Sequence, residues 1–311
     1  MPEPRSLRQR IHESPGGLVL DGGLASELER RGHDLDHDLW SAHLLLEAPD
    51  AVASVIHDFA AAGADLVATA TYQATLPGLA RVGLSREASI HLIQGAVSLA
   101  CKAVESVSNR PLVAASIGPY GAFLADGSEY RGDYGLSRRE LVDFHRDRMA
   151  ILTETDCDLL AFETFPSGTE VAAITDLLTE FPDREAWISF SCRSGRELCD
   201  GTPIEEIVGA LIGHPQVAAL GANCINPGHA VEITERIREE DPERSVILYP
   251  NAGQGWDDRA GDWKGTDTPD QFARRAVDWR ASGATVIGGC CQTTPDHIRA
   301  LAEKRDAAGS H

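Results

Sequence analysis

Lysine is nearly missing from this chain: only Lys102, Lys264 and Lys304 stand among 28 basic residues, and the rest are arginine. Acidic residues outnumber them, 48 in all, and set a formal charge of −20. Such a surface repels phosphate backbones and anionic headgroups, so nucleic acid and membrane are disfavoured as partners. No apolar run approaches the roughly 20 residues that span a bilayer. The opening MPEPRSLRQRIHESPGG is basic but has no apolar stretch behind it, unlike a secretory signal. Seven cysteines without an export signal are therefore expected to be reduced thiols in a cytoplasmic protein. Also missing are a GxGxxG after the first strand-like run, which removes the commonest mark of an open dinucleotide-binding sheet, and any HExxH pair.

What is present is a rhythm. Eight short apolar runs recur: Leu18–Asp21, Leu66–Tyr72, Leu112–Ile117, Leu159–Thr164, Ala186–Cys192, Ala218–Cys224, Val246–Asn251 and Thr285–Cys290. They are near-continuously apolar, as parallel strands covered on both faces must be. Between them lie segments with helical periodicity and helix punctuation. Ser137 with Glu140 makes a capping box, and Thr268-Pro269 and Thr294-Pro295 each place proline in a first helical turn behind a capping hydroxyl. Eight strand–helix units without a composition break predict an α/β fold, a single (βα)₈ TIM barrel over residues 16–305. Residues 1–15 and 306–311 read as tails. Two long loops, one carrying Trp40 and one spanning Gly118–Tyr134, are expected to shape the active face, and Ala252–Trp256 reads as loop.

In such a barrel the chemistry lies where strands end. Those positions hold Asp21, Tyr72, Gly118, Glu163, Asn223, Cys224, Asn251, Cys290 and Cys291. Singly, each has an ordinary explanation: a turn for Asp21, an ion pair for Glu163, a loop cap for Asn251. Jointly they make a polar, metal-binding face. Cys224, Cys290 and Cys291 are the candidate metal ligands, and three thiolates leave the fourth position of a zinc ion open, as a zinc enzyme requires. Side chains alternate along a strand, so Gly288 and Gly289 are expected to kink the chain and turn both neighbouring sulfurs to one ion. The remaining cysteines, 101, 157, 192 and 199, read as structural. An electron-rich tri-thiolate zinc suits a soft fourth ligand, a substrate thiol, which it would deprotonate while leaving the sulfur nucleophilic. The reaction class is alkyl transfer to sulfur from a cationic donor. A zinc hydrolase would need histidine or carboxylate ligands, and a non-catalytic zinc- or thiol-binding barrel a fourth protein ligand; neither pattern is present.

The segments Asp21-Gly-Gly-Leu-Ala-Ser-Glu-Leu, Ser116-Ile-Gly-Pro-Tyr-Gly-Ala, Asp126-Gly-Ser-Glu-Tyr-Arg-Gly-Asp-Tyr, Gly221-Ala-Asn-Cys, Tyr249-Pro-Asn and Gly288-Gly-Cys-Cys-Gln-Thr-Thr-Pro resemble the homocysteine S-methyltransferase family over Leu18 to Leu301. The loop Ala125–Tyr134 is similar to the branch that uses S-methylmethionine rather than betaine. The resemblance implies zinc on Cys224, Cys290 and Cys291, a homocysteine ammonium between Asp21 and Glu163, and Asn223 and Asn251 on the amino acid or the metal shell. It further implies small-molecule substrates, homocysteine and a sulfonium donor, with selenocysteine or another thiol as the alternative acceptor. Absence of a D-x-H-x-x-G segment and of a second large module disfavours a cobalamin-dependent methionine synthase. Oligomeric state is not legible in this sequence.

Overall fold

A computed structural model describes residues 5–37, 39–257 and 262–309. Eight parallel strands form the barrel: β1 (Leu18–Val19), β2 (Leu66–Ala68), β3 (Leu112–Ile117), β4 (Leu159–Phe165), β5 (Ala186–Phe190), β6 (Val217–Asn223), β7 (Ser245–Tyr249) and, after a hairpin of β8 (Gly253–Asp257) with β9 (Asp262–Thr266), β10 (Ala284–Ile287). They run in the order β1-β10-β7-β6-β5-β4-β3-β2, and a parallel bridge from Leu20 to Leu66 closes the ring. The predicted TIM barrel is thus the observed fold.

Alternation along each strand sorts the core into two layers. Leu18, Leu20, Leu66, Leu112, Ala114, Leu159, Ala161, Trp187, Ile247 and Val286 fill the barrel interior. Their neighbours Val19, Val67, Val113, Ala115, Leu160, Phe162 and Ile188 pack outward against the helices. The surrounding helices bury a stripe at helical spacing; Arg86–Val104, capped by Ser85, buries Ile93, Ala96, Val97, Ala100 and Val104. The capping box at Ser137 and the capping hydroxyl of Thr268 form as predicted, and Gln271 completes a second box at Thr268. No helix of the described residues is long and apolar enough to cross a membrane.

One position inside the barrel has no room for any side chain, Gly221. A Cβ there would lie 1.6 Å from the carbonyl oxygen of Ile247 on the neighbouring strand. Backbone in a paired strand cannot retreat, so Gly221→Ala is expected to lower the unfolding free energy by about 3 kcal/mol or more. For a chain of this size that is a fall in melting temperature of roughly 4 °C or more, readable by calorimetry.

Five details depart from the sequence reading. Strands β1 and β2 stop well short of Asp21 and Tyr72, because the Asp21 carboxylate accepts the Ala68 N–H at 2.7 Å in place of a ladder bond. The segment after Asn251 is an antiparallel hairpin, not a loop. Both long loops are wound into short helices, Leu24–Arg30 with a turn at Trp40–His43 after β1, and Tyr120–Leu124 with a turn at Ser128–Tyr130 after β3. Finally, Leu7–Glu13, within the stretch read as an N-terminal tail, is a helix capped by Ser6, and its Leu7 is fully buried with the barrel-interior residues. Glu185 accepts the Leu7 N–H at 2.7 Å, which ties this plug to the barrel. The last helix, Pro295–Gly309, runs through most of the stretch read as a C-terminal tail. Residues 1–4 and 310–311 of the two tails lie outside the described residues.

Candidate active site and metal centre

Period-two alternation carries the interior layer up to the barrel mouth and changes its chemistry on the way. Above Leu112 and Ala114 comes Ser116, above Leu159 and Ala161 comes Glu163, above Trp187 comes Ser189, and above Ile247 comes Tyr249. These side chains bond to one another around the ring. Ser116 donates to Glu163, Ser189 donates to the Asn223 oxygen at 2.8 Å, and Trp187 donates to the Tyr249 hydroxyl at 3.0 Å. Asn223 in turn accepts the Thr164 N–H and donates to the Thr164 hydroxyl, both at 2.7 Å. Thr164 needs this clamp, since its φ of 63° lies in the left-handed region that a β-branched residue avoids.

The three cysteines lie just outside the strands. Cys224 follows the last residue of β6 at a φ of 52°, where the chain turns out of the sheet. β10 ends at Ile287, so strand alternation does not govern Cys290 and Cys291 at all. What brings them in is a tight passage at Gly288 and Gly289. A Cβ on Gly288 would meet the Asp21 oxygen at 2.7 Å, and one on Gly289 the Thr293 side chain at 2.4 Å. Beyond it the Cys290 N–H donates to the Pro250 carbonyl at 2.9 Å and the Cys291 N–H to the Asn251 side-chain oxygen at 3.0 Å. Asn251 also hydrogen-bonds the Cys224 sulfur. The three Sγ atoms all fall within 4.8 Å of one another, Cys224 and Cys291 at 3.6 Å. Sulfurs sharing one tetrahedral ion with bonds near 2.3 Å sit about 3.8 Å apart, so this cluster can hold a soft metal ion.

Hydrogen bonds from Cys290 and Cys291, helped by the Tyr130 hydroxyl at 3.1 Å, hold the Cys224 thiol well below its usual range. The other four cysteines lie apart from the cluster. Burial pushes the thiol of Cys192 well up, which suits a packing role.

Over the sulfurs opens a cavity of about 400 Å³. Asp21, Tyr72, Glu163, Asn223 and the three cysteines line it; Gly118 and Asn251 do not. Gly118 stands behind Tyr72, where a Cβ would lie 2.8 Å from the ring, and Asn251 stands behind the sulfurs as described. Burial, aided by Glu163, raises the Asp21 carboxyl well above its normal value. Burial also lifts Glu163 to about 7, against the hydrogen bonds of Ser116 and Tyr249. Two buried carboxyls that repel each other can share one ammonium, whose charge would relieve both. Part of the cavity wall is aromatic, with Trp40 edge-on to Tyr72 at 6.1 Å. The buried Arg148 steadies that wall by donating to the carbonyls of Tyr72 at 3.1 Å and Gly118 at 2.6 Å. Sequence reasoning did not single out Ser116, Thr164, Ser189, Tyr249, Glu129 or Tyr130 as site residues. Ser116, Ser189 and Tyr249 were findable by continuing each strand's alternation past its apolar part; Thr164, which alternation would send outward and whose positive φ turns it in, and the loop pair carried no such signal.

Comparison with known proteins agrees with this geometry. Residues 18–305 match the family model described as homocysteine S-methyltransferase. The homocysteine S-methyltransferase YbgG of Bacillus subtilis is 45% identical over 303 residues, covering 94% of this chain and 96% of the relative. A selenocysteine Se-methyltransferase of Brassica oleracea is 38% identical over 316 residues, covering 95% and 91%. Among solved structures, the metallated form of the homocysteine methyltransferase MmuM from Escherichia coli superposes with a TM-score of 0.85 at 41% identity, covering 95% of this chain and 99% of that one. With its barrel, its sulfur cluster and a match over nearly its whole length, the chain is a methyltransferase that belongs to the homocysteine S-methyltransferase family.

Proposed function

We propose that this protein moves a methyl group from a sulfonium donor to the thiol of homocysteine, with zinc as the metal on Cys224, Cys290 and Cys291. S-methylmethionine is the preferred donor and S-adenosylmethionine a slower one. The observation that carries the reading is the close set of three sulfurs at one end of a cavity that also holds the carboxyl pair Asp21 and Glu163.

Zinc bound there supplies the positive charge that keeps a fourth sulfur deprotonated at neutral pH. The chain's own groups do the rest. Asp21 and Glu163 accept the homocysteine ammonium and so fix where its thiol can reach. Asn251, through the Cys291 N–H and the Cys224 sulfur, fixes the ligand loops. Trp40 and Tyr72 wall off the path along which the methyl carbon moves and keep water from it. In the transfer the thiolate sulfur forms a bond to the methyl carbon as the carbon–sulfonium bond breaks, and its electron pair neutralises the donor. A thiolate and a sulfonium become two thioethers, and the thiol proton leaves to solvent. A selenol acceptor fits the same chemistry, and the Brassica relative's name supports it as the second reading.

The test is methionine formation by reduced, zinc-loaded protein with homocysteine and, in turn, S-methylmethionine, S-adenosylmethionine and betaine. Expected are about one zinc per chain and turnover on the sulfonium donors. Zinc without turnover moves the acceptor to another thiol or selenol; neither metal nor turnover sinks the reading.

A further inference from the structure

The loop after β3 puts into the cavity a carboxylate with one oxygen that nothing among the described residues pairs; its own backbone N–H serves the carboxyl, and that oxygen is left over. Glu129 lines the cavity, and its Oε2 is buried with no hydrogen-bond partner. Its position is built, not incidental. Asp126 accepts the Ser128 N–H at 2.9 Å, Arg131 donates to the Ser128 hydroxyl at 2.7 Å, and Gly121 lets the loop press close, since a Cβ there would lie 2.4 Å from the Glu129 nitrogen. A buried acceptor left without a donor costs about 1–3 kcal/mol, more when charged, so a loop this well braced holds it for a partner that arrives.

We infer that Glu129 selects the methyl donor by accepting N–H hydrogen bonds from the donor's primary ammonium group. The inference rests on the methyl-transfer reading and deepens it. The chemistry of the orphan decides between cation types. A sulfonium carries only C–H bonds, and so does a quaternary ammonium such as that of betaine; neither fills an empty hydrogen-bond acceptor well. A primary ammonium brings three N–H donors and a full charge. The homocysteine ammonium has its own receptor in Asp21 and Glu163, so a third carboxylate lining the cavity matches a second amino-acid substrate. The donor class is therefore a sulfonium that is also an α-amino acid.

The discriminating pair of donors is S-methylmethionine and 4-(dimethylsulfonio)butanoate, the same sulfonium without its amine. Each is given with homocysteine to zinc-loaded wild type and to Glu129→Gln, and donor binding is measured calorimetrically in parallel. For wild type, kcat/KM and affinity should favour the amine-bearing donor. Glu129→Gln should lower both for S-methylmethionine by roughly 10- to 100-fold, the worth of a charged hydrogen bond, and change them less than threefold for the amine-free donor. The KM for homocysteine should stay put. An equal loss on both donors would make Glu129 a mere loop brace, and no loss would remove it from the donor site; either overturns the inference. Should wild type bind the donors without turning over, the methyl-transfer reading fails while the binding contrast still decides the role of Glu129.

Discussion

Cys224→Ser is expected to abolish metal binding and to lower methyl transfer by roughly a thousandfold, about 4 kcal/mol of barrier, while the barrel stays folded. The reasons lie in three separate features. A serine hydroxyl is a hard ligand that does not ionise near neutrality, so it cannot replace a sulfur whose thiol its neighbours already hold well below its usual range. Position 224 also receives the hydrogen bonds of Tyr130 and Asn251, which hold a thiolate in place and would find a neutral hydroxyl instead. The side chain, however, sits at the rim beyond β6 and not in the core, so its exchange removes little packing. Melting temperature of the metal-free variant should match that of metal-free wild type within roughly 3 °C. Metal content by mass spectrometry or absorption and turnover should fall together. Full turnover by the variant would show that Cys224 does not hold the metal.

How far the sequence could be read depends on which force shaped each part. The eight strands were legible because burial on both faces leaves apolar runs, and burial of that kind does not depend on distant detail. Glu163 and Asn223 were legible for a related reason: a polar residue at the tip of an apolar run has to face something. The route of Cys290 and Cys291 was not. Alternation cannot reach them because β10 ends at Ile287; the cause is the tight passage at Gly288 and Gly289, where Gly288 approaches Asp21, a contact between residues far apart in sequence. The helix Leu7–Glu13 escaped notice because seven residues carry too little periodicity and too little intrinsic stability to announce themselves; docking of Leu7 makes the helix. Glu129 was hidden for the opposite reason. In a loop rich in Gly, Asp and Tyr an acidic side chain looks like ordinary surface, and only the folded loop shows one of its oxygens buried and unpaired.

The carboxyl pair gives the second large effect, and its sign can be worked out. Burial holds Glu163 at about 7, against 4.5 for an exposed glutamate, so between those values the folded protein keeps a proton that the unfolded chain has lost. Ionising it inside the fold is unfavourable. Stability is therefore lost as pH rises from about 4.5 to 7, by up to about 3 kcal/mol, and is level above that. Asp21, whose carboxyl is also pushed up, and the Cys224 thiolate both face Glu163 and reinforce the effect. A substrate ammonium reverses the balance, since it needs the ionised pair. Apparent affinity for homocysteine should then fall up to about tenfold for each pH unit below 7. Two substitutions separate these terms. Asp21→Asn should raise the homocysteine KM by roughly 10- to 100-fold and leave metal content unchanged, because its carboxylate touches no sulfur ligand in the structure. Glu163→Gln should do the same to KM and flatten its dependence on pH. At pH 8 it should also melt at a higher temperature than wild type, since the unfavourable buried charge is gone and Ser116 and Tyr249 can still bond the amide. A site residue whose removal stabilises the fold while weakening substrate binding is the mark of a charge kept for a ligand. Glu163→Gln that lost stability at pH 8, or kept the wild-type pH dependence of KM, would show that Glu163 serves the barrel and not the amino acid.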